Sequence, residues 1–265
     1  MEIAIVIIGT NNYLMLAIRL IKNFLHFYKG KANITFYLFC DDDPYQYLSK
    51  EEGKHVMPFM NNHNRWRDGT NAKFTNILRL QNKLVNYIYY FDADTDIDTP
   101  FTEDWFIGDM VGGQHYLDDK MREKDDFPFD YNITSSCFVD LTFGLPKTYY
   151  YGAFFGGTKQ NMMKFCSKLL GQMKHNQKMN HEPPWNDESY INAEFHYNPP
   201  SKVVKCSEFP FLVSSKGLGI NRMISKKLGS RERNFRERCK RHMRRFKDKR
   251  WVFDHEHKTI KEVKD

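Results

Sequence analysis

Close to the start of the chain, Ile3-Ala-Ile-Val-Ile-Ile8 is apolar at every position. A run of that length with no polar alternation is the pattern of a strand covered on both faces. Leu14, Ile18, Ile21 and Leu25 then recur at helical spacing, with Phe24 beside them and Asn11 and Asn12 ahead of them as caps. A second apolar run, Ile34 to Cys40, ends in Asp41-Asp42-Asp43-Pro44, and a shorter strand is predicted around His55 to Phe59. A helix over Asn71 to Asn86 would place Phe74, Ile77, Leu78, Leu84 and Val85 on one side. Tyr87-Ile-Tyr-Tyr-Phe91 reads as another strand and runs into Asp92-Ala-Asp94. Strands alternating with helices predict an α/β fold, with a mainly parallel central sheet and helices on both faces.

The second half is less regular. Gly112-Gly113, the stretch Asp118 to Asp130, and Phe143 to Gly157 read as loops and short strands. A helix over Lys159 to Lys174 carries Met162, Phe165, Cys166, Leu169, Leu170 and Met173 as a core-facing stripe, and a short helix is predicted over Asp187 to Phe195. No internal repeat and no linker rich in Pro or Gly breaks the chain.

Composition changes this picture at one point. The chain has 265 residues, 40 Lys and Arg against 33 Asp and Glu, and a formal charge of +7. Between Arg222 and Arg250 lie 14 basic and 3 acidic residues. The remainder is therefore net acidic, and the division expected is a body over 1–215 and a basic, helical C-terminal extension over 216–265. No run approaches the ~20 apolar residues of a membrane helix, and the first residues lack the form of a signal peptide. The five scattered cysteines, Cys40, Cys137, Cys166, Cys206 and Cys239, form no CxxC pair, which argues against a disulfide framework or structural zinc. A reducing, cytoplasmic setting is the expectation, with peripheral membrane attachment through the basic extension as its variant.

Four segments carry candidate chemistry. Asp92 and Asp94 close an apolar strand at the edge of the sheet where α/β proteins bind ligands. On an extended chain, side chains two apart share a side, so the pair suits one hard cation, Mg²⁺ or Mn²⁺, of the kind that holds a phosphate. An acidic strand-ending turn is the plain alternative. Ile8-Gly9-Thr10-Asn11-Asn12-Tyr13 joins strand to helix, where a phosphate or a base could sit with Tyr13 as a stacking surface; it is neither a P-loop nor a dinucleotide fingerprint. Pro183-Pro-Trp-Asn-Asp-Glu-Ser189 offers an indole and two carboxylates to a sugar, although acids are also favoured at any helix start. Tyr149-Tyr-Tyr-Gly-Ala-Phe-Phe-Gly-Gly157 permits close approach to its backbone, or is simply a buried strand with a turn.

Together these blocks resemble glycosyltransferase family 6, which contains the histo-blood-group A and B transferases and the α-1,3-galactosyltransferases. The resemblance rests on Asp92-Ala-Asp94, Tyr150-Tyr-Gly-Ala-Phe-Phe-Gly-Gly157 and Trp185-Asn-Asp-Glu-Ser189, with Arg65-Trp-Arg-Asp68 and Phe36-Tyr-Leu-Phe-Cys-Asp41 upstream. It covers Ile3 to Leu212. It implies a GT-A fold and retaining, metal-dependent transfer of galactose or N-acetylgalactosamine from a UDP donor in α-1,3 linkage to an oligosaccharide or glycolipid acceptor.

Carried over by position, Asp92 and Asp94 would bind Mn²⁺, with Mg²⁺ as the substitute, and Ala93 would lie against the donor. Ile8, Gly9, Thr10 and Tyr13 would hold the uridine. Lys73 stands where the family usually has an arginine touching the donor sugar and a metal-site carboxylate, a looser contact because lysine lacks the planar fork. Gly152 and Ala153, after Tyr151, fall in the donor-discriminating triplet, and Ala153 favours UDP-galactose. Asp187 would hold sugar hydroxyls, Glu188 would be the catalytic carboxylate, and Trp185, His115 and Glu188 would meet the acceptor. The resemblance to microbial and viral members without an anchor accords with the expected cytoplasmic setting. Transfer from another UDP-sugar such as UDP-glucose is one competing reading. A basic nucleic-acid-binding protein is the other, and no RNA-binding signature in the body supports it. The basic extension would suit an anionic membrane surface.

Overall fold

The computed structural model describes residues 1–205, apart from 12, 62–65, 98, 116–117, 119–126, 141 and 143–147, together with 211–213, 251–254 and 259–262. The chain divides into two compact units, Met1–Lys216 and Gly217–Asp265. In the second, strands Trp251–Asp254 and Thr259–Glu262 pair antiparallel. The basic run Arg222 to Arg250, for which a helix is expected, lies outside the described residues, as do Cys206 and Cys239.

The first unit is built on β1 (Glu2–Gly9), β2 (Asn33–Cys40), β3 (Val56–Met60), β4 (Tyr87–Phe91), β5 (Thr95–Ile97), β6 (Met110–Gln114), β7 (Tyr150–Thr158), β8 (Lys202–Val204) and β9 (Phe211–Val213). Its helices are α1 (Tyr13–Phe27), the short α2 (Lys50–Gly53), α3 (Trp66–Leu78), α4 (Lys159–Lys178) and α5 (Asn186–Tyr197). Seven strands form one sheet in the order β3-β2-β1-β4-β7-β6-β8. All its neighbours run parallel except β7, which is antiparallel to both β4 and β6. This is the mostly parallel α/β sheet that the alternation of elements predicts, and a GT-A-like architecture.

Ile3 through Ile7 are fully buried, as an apolar run covered on both faces requires. Alternation along β1 then divides the core in two. Ile3, Ile5 and Ile7 face α1 through Phe24, which meets Phe36 and Phe101 edge-on at 5.2 and 4.9 Å. Ala4 and Val6 face α3, α4 and α5 through Phe74, Met162 and Ile191.

Two expectations need correction. The helix predicted over Asn71 to Asn86 is instead Trp66–Leu78. Beyond it the chain tightens into i to i+3 bonds, such as Leu80 N–H to Ile77 C=O and Gln81 N–H to Leu78 C=O, and Leu84 is left 94% exposed. The segment Phe143 to Gly157, read as loops and short strands, holds all but the last residue of the nine-residue β7 in mid-sheet. Its glycines disguise a strand. At Gly156 an added Cβ would stand 2.7 Å from the Ile88 carbonyl and run into the ring of Tyr89, so only glycine lets β7 lie this close to β4.

Cys40, Cys137 and Cys166 are buried free thiols, and burial pushes the first two up to about 11 and about 12. At those values they are inert.

Candidate active site

Strand β4 delivers Asp92. Its N–H donates to the Ala153 carbonyl at 3.0 Å, which prolongs the pairing with β7, and its carbonyl accepts the Thr95 N–H at 3.0 Å. Asp92-Ala93-Asp94 is therefore a turn between β4 and β5, and the sequence argument from extended-chain alternation does not apply. The two carboxylates still share a neighbourhood, because both act on Tyr13. Its phenol is raised first by burial and then by Asp94 and Asp92. Tyr13 opens α1 and is 42% exposed, a ring available to a ligand beside two acids.

Among the described residues, no group of three or more His, Cys, Asp or Glu side chains is placed to hold a metal ion. Two partly exposed carboxylates alone suit a hard divalent cation that completes its shell with phosphate oxygens and water. They do not suit a closed protein cage or a structural zinc.

The loop before α1 is held from its own backbone. Tyr13 and Leu14 N–H donate to the Thr10 and Asn11 carbonyls at 3.0 and 3.1 Å. Asn11 sits at φ 54°, and its N–H donates to both oxygens of Asp41 at 3.0 and 2.9 Å. Gly9 is required by the helix: an added Cβ would meet that of Ala17 at 2.7 Å. Ile8 packs partly buried against the cluster that holds Phe74.

Behind this edge lies Lys73, a fully enclosed lysine on α3 with 2% of its surface exposed. Its ammonium reaches Asp187 at 2.6 Å, the Gly152 carbonyl at 3.0 Å and Asp92 at 3.7 Å, and it stands over the Tyr90 ring at 4.4 Å. Burial, the largest influence, pulls its pKa down. Asp187, Asp92 and Glu188 together outweigh that, so the net shift is upward and Lys73 stays charged. A lysine spans the two acids with one point charge, making one tight contact and one long one. The Tyr90 hydroxyl donates to the same Asp92 oxygen that Lys73 faces, Oδ1, at 2.7 Å.

The third contribution comes from the start of α5. Trp185 precedes the helix and is 50% exposed. Asn186 lies at φ 46°, in the left-handed region that a non-glycine residue seldom occupies. The chain turns there from the outward indole to the buried Asp187. Asp187 and Glu188 occupy the first helical turn, where the peptide dipoles favour negative charge. Burial raises the Asp187 carboxyl, and Lys73 opposes that rise.

Glu188 is gripped at both oxygens. Oε2 accepts the Gly152 N–H at 2.8 Å and Oε1 accepts the Tyr149 hydroxyl at 3.0 Å. Burial pushes its pKa up to about 7, with Asp187 adding to the rise and Gly152, Tyr149 and Lys73 opposing it. Gly152 is the hinge of this constellation: an added Cβ would meet Asp187 Oδ2 at 3.1 Å and Glu188 Oε2 at 3.3 Å. Asn192, one turn after Glu188, fastens α5 to β7. Its side chain accepts the Tyr150 N–H at 2.7 Å and donates to the Tyr150 and Glu188 carbonyls at 2.8 and 2.9 Å.

Lys73, Asp92, Gly152, Asp187 and Glu188 thus converge. Ala93 and Ala153 are buried beside them, and Tyr13 lies at the same edge. His115 is 4% exposed, its ring edge-on to Tyr149 and Tyr151 at 5.4 and 4.9 Å, and therefore enclosed rather than presented to solvent. Tyr90 and Asn192 carry no candidate role in the sequence, and Tyr149 stands there only as the first residue of the Tyr149 to Gly157 candidate segment. Asn192 leaves a trace as a polar residue one helical turn from Glu188.

The model of one protein family, described as "Glycosyltransferase family 6", matches residues 1–216. "Globoside alpha-1,3-N-acetylgalactosaminyltransferase 1" of Mus musculus is 25% identical over 216 residues, covering 77% of this chain and 59% of that protein. The Canis lupus familiaris protein of the same name is 26% identical over 203 residues, covering 70% and 55%. The Homo sapiens protein is 27% identical over 152 residues, covering 54% and 41%. The matched part spans roughly two fifths to three fifths of these relatives' length. No helix among the described residues is long and apolar enough to cross a membrane.

Proposed function

The chain belongs to glycosyltransferase family 6, and from that premise we propose that it moves galactose or N-acetylgalactosamine from a UDP donor to a sugar hydroxyl in α-1,3 linkage, with retention of configuration. The observation that carries this reading is the buried ammonium of Lys73, which draws a carboxylate of the acidic turn and a carboxylate of α5 to one point. A buried lysine shared between two acids at a sheet edge supports a site where a diphosphate and a sugar meet.

Asp92 and Asp94 would hold Mn²⁺ or Mg²⁺, which, when bound, neutralises charge on the departing diphosphate. Tyr13 offers its exposed ring to the uracil. Lys73 orients Asp92 and Asp187 and adds positive charge near the leaving group. Asp187 accepts hydrogen bonds from donor-sugar hydroxyls, and the buried Ala153 narrows the space for an N-acetyl group and so favours galactose. Glu188 stabilises the positive charge that develops at the anomeric carbon, either as a nucleophile or as an electrostatic partner to same-face attack. Trp185 gives the acceptor, an oligosaccharide or glycolipid, an apolar face on which to pack.

The test is a panel of UDP-galactose, UDP-N-acetylgalactosamine and UDP-glucose, with and without Mn²⁺, read by UDP release with lactose-like and fucosylated acceptors. Glu188→Gln is expected to keep UDP-sugar binding and to lose transfer by orders of magnitude. Wild-type rates in that variant remove Glu188 from the mechanism, and no release from either galactose-type donor refutes the reading.

A further inference from the structure

We propose that Tyr149 is the positioning residue of Glu188: its hydroxyl and the Gly152 amide take one carboxylate oxygen each and present the group to the donor sugar in a single orientation. This rests on the reading of Glu188 as the carboxylate at the anomeric carbon.

Tyr149 is 1% exposed and held along its whole length. Its N–H donates to Asp118 and its carbonyl accepts the His115 N–H. Its ring packs against His115, Phe127 and Phe129 at 5.4, 6.5 and 5.4 Å. The proton of this buried phenol goes to Glu188 Oε1 at 3.0 Å, a bond to an ionisable group out of reach of water. A glutamate side chain left alone samples several rotamers. With one oxygen on a rigid ring and the other on a strand amide, this one cannot turn without losing a hydrogen bond. Each oxygen still has a lone pair for the sugar.

The same contact affects ionisation. The groups facing Glu188 are Asp187 from its own helix, Lys73 from α3, and Tyr149 and Gly152 from β7 and its approach. Burial and Asp187 favour the protonated acid. Lys73, the Gly152 N–H and the Tyr149 hydroxyl favour the carboxylate, since a donor can bond only to an accepting oxygen. Burial first, and Glu188 second, hold the phenol far above its ordinary pKa, so it remains a donor throughout.

The test is Tyr149→Phe, which keeps the ring and removes only the hydroxyl. It is measured alongside Glu188→Gln and the double variant by UDP release from UDP-galactose and UDP-N-acetylgalactosamine in Mn²⁺. In Tyr149→Phe we expect kcat to fall about 10–100-fold, the share of one hydrogen bond to a charged group. KM and the Kd for UDP should stay within about threefold, and the acid limb of kcat/KM should move up by about one pH unit. The double variant should be no slower than Glu188→Gln. Unchanged kcat with an unmoved acid limb, or loss of UDP binding together with the melting transition, overturns the positioning role. If Glu188→Gln itself turns over normally, the reading of Glu188 fails, and the proposal falls with it for that separate reason.

Discussion

Replacing Lys73 by methionine isolates the electrostatics on which the site is built, before any substrate is added. The ammonium is 2% exposed and 2.6 Å from a carboxylate that is itself 5% exposed. Removing one member of so dry a pair leaves the other charged and uncompensated, a loss of about 3–5 kcal/mol. In a domain of this size that is a fall of roughly 6–20 °C in Tm. Asp187 limits the damage by taking up a proton, and this gives the loss a pH dependence. Burial first, and Asp92 after it, raise its folded-state pKa above the unfolded value, and without Lys73 only a backbone hydrogen bond opposes that rise. A group so shifted contributes stability that is fully present below the unfolded pKa and is lost as pH rises through the folded one. Lys73→Met should therefore be closest to wild type in acid and should fall progressively further below it as pH rises. Adding Asp187→Asn to the variant should restore most of the loss at pH 8. Thermal and urea melts from pH 5 to 8, in the absence of nucleotide and metal, measure all of this. A single variant that melts within about 2 °C of wild type at pH 8, with an unaltered pH profile, refutes the claim that the pair is desolvated.

Gly152→Ala places a methyl group 3.1 Å and 3.3 Å from the two α5 carboxylates. Activity by UDP release should drop at least about tenfold while circular dichroism melts move only a few degrees, since the displaced groups are side-chain tips. The raised pKa of Glu188, about 7, makes the carboxylate form scarce in acid. The pH profile of kcat/KM should therefore climb through about pH 7, and stability should decline as pH rises from the ordinary carboxylate range up to about 7 and level off above it. Excess EDTA should abolish UDP release, and Mn²⁺ should restore it; full activity in EDTA would exclude a role for metal at Asp92 and Asp94.

The fold was legible where burial on both faces writes itself as an unbroken apolar run. β1, β2 and β4 are such strands, and α1 and α4 show the matching one-sided periodicity. Legibility failed where glycine or local polarity hides the pattern. Strand β7 carries three glycines in nine residues, and the end of α3 is set by a return to β4 that helix periodicity does not encode. At the site, individual segments announced acids and aromatics, and the resemblance assigned them roles. Their convergence was not visible, since Lys73, Asp92, Tyr149 and Glu188 are distant in the chain and meet only because β7 runs against β4. Tyr149 illustrates the limit most sharply. In Tyr149-Tyr150-Tyr151, three identical side chains face three different surroundings, and composition cannot say which of them meets Glu188.

The two ends of β7 have a practical bearing on engineering. At its far end, Gly156 and Gly157 admit the Tyr89 ring and the Asp109 carbonyl where any side chain would collide. These notches key the strand's alignment with its neighbours as a lock does its bolt. Libraries aimed at new donor preference should therefore leave 156 and 157 untouched and spend their diversity on 151 and 153, since a slip of one residue at the keyed end would turn every side chain of the strand to the opposite face of the sheet.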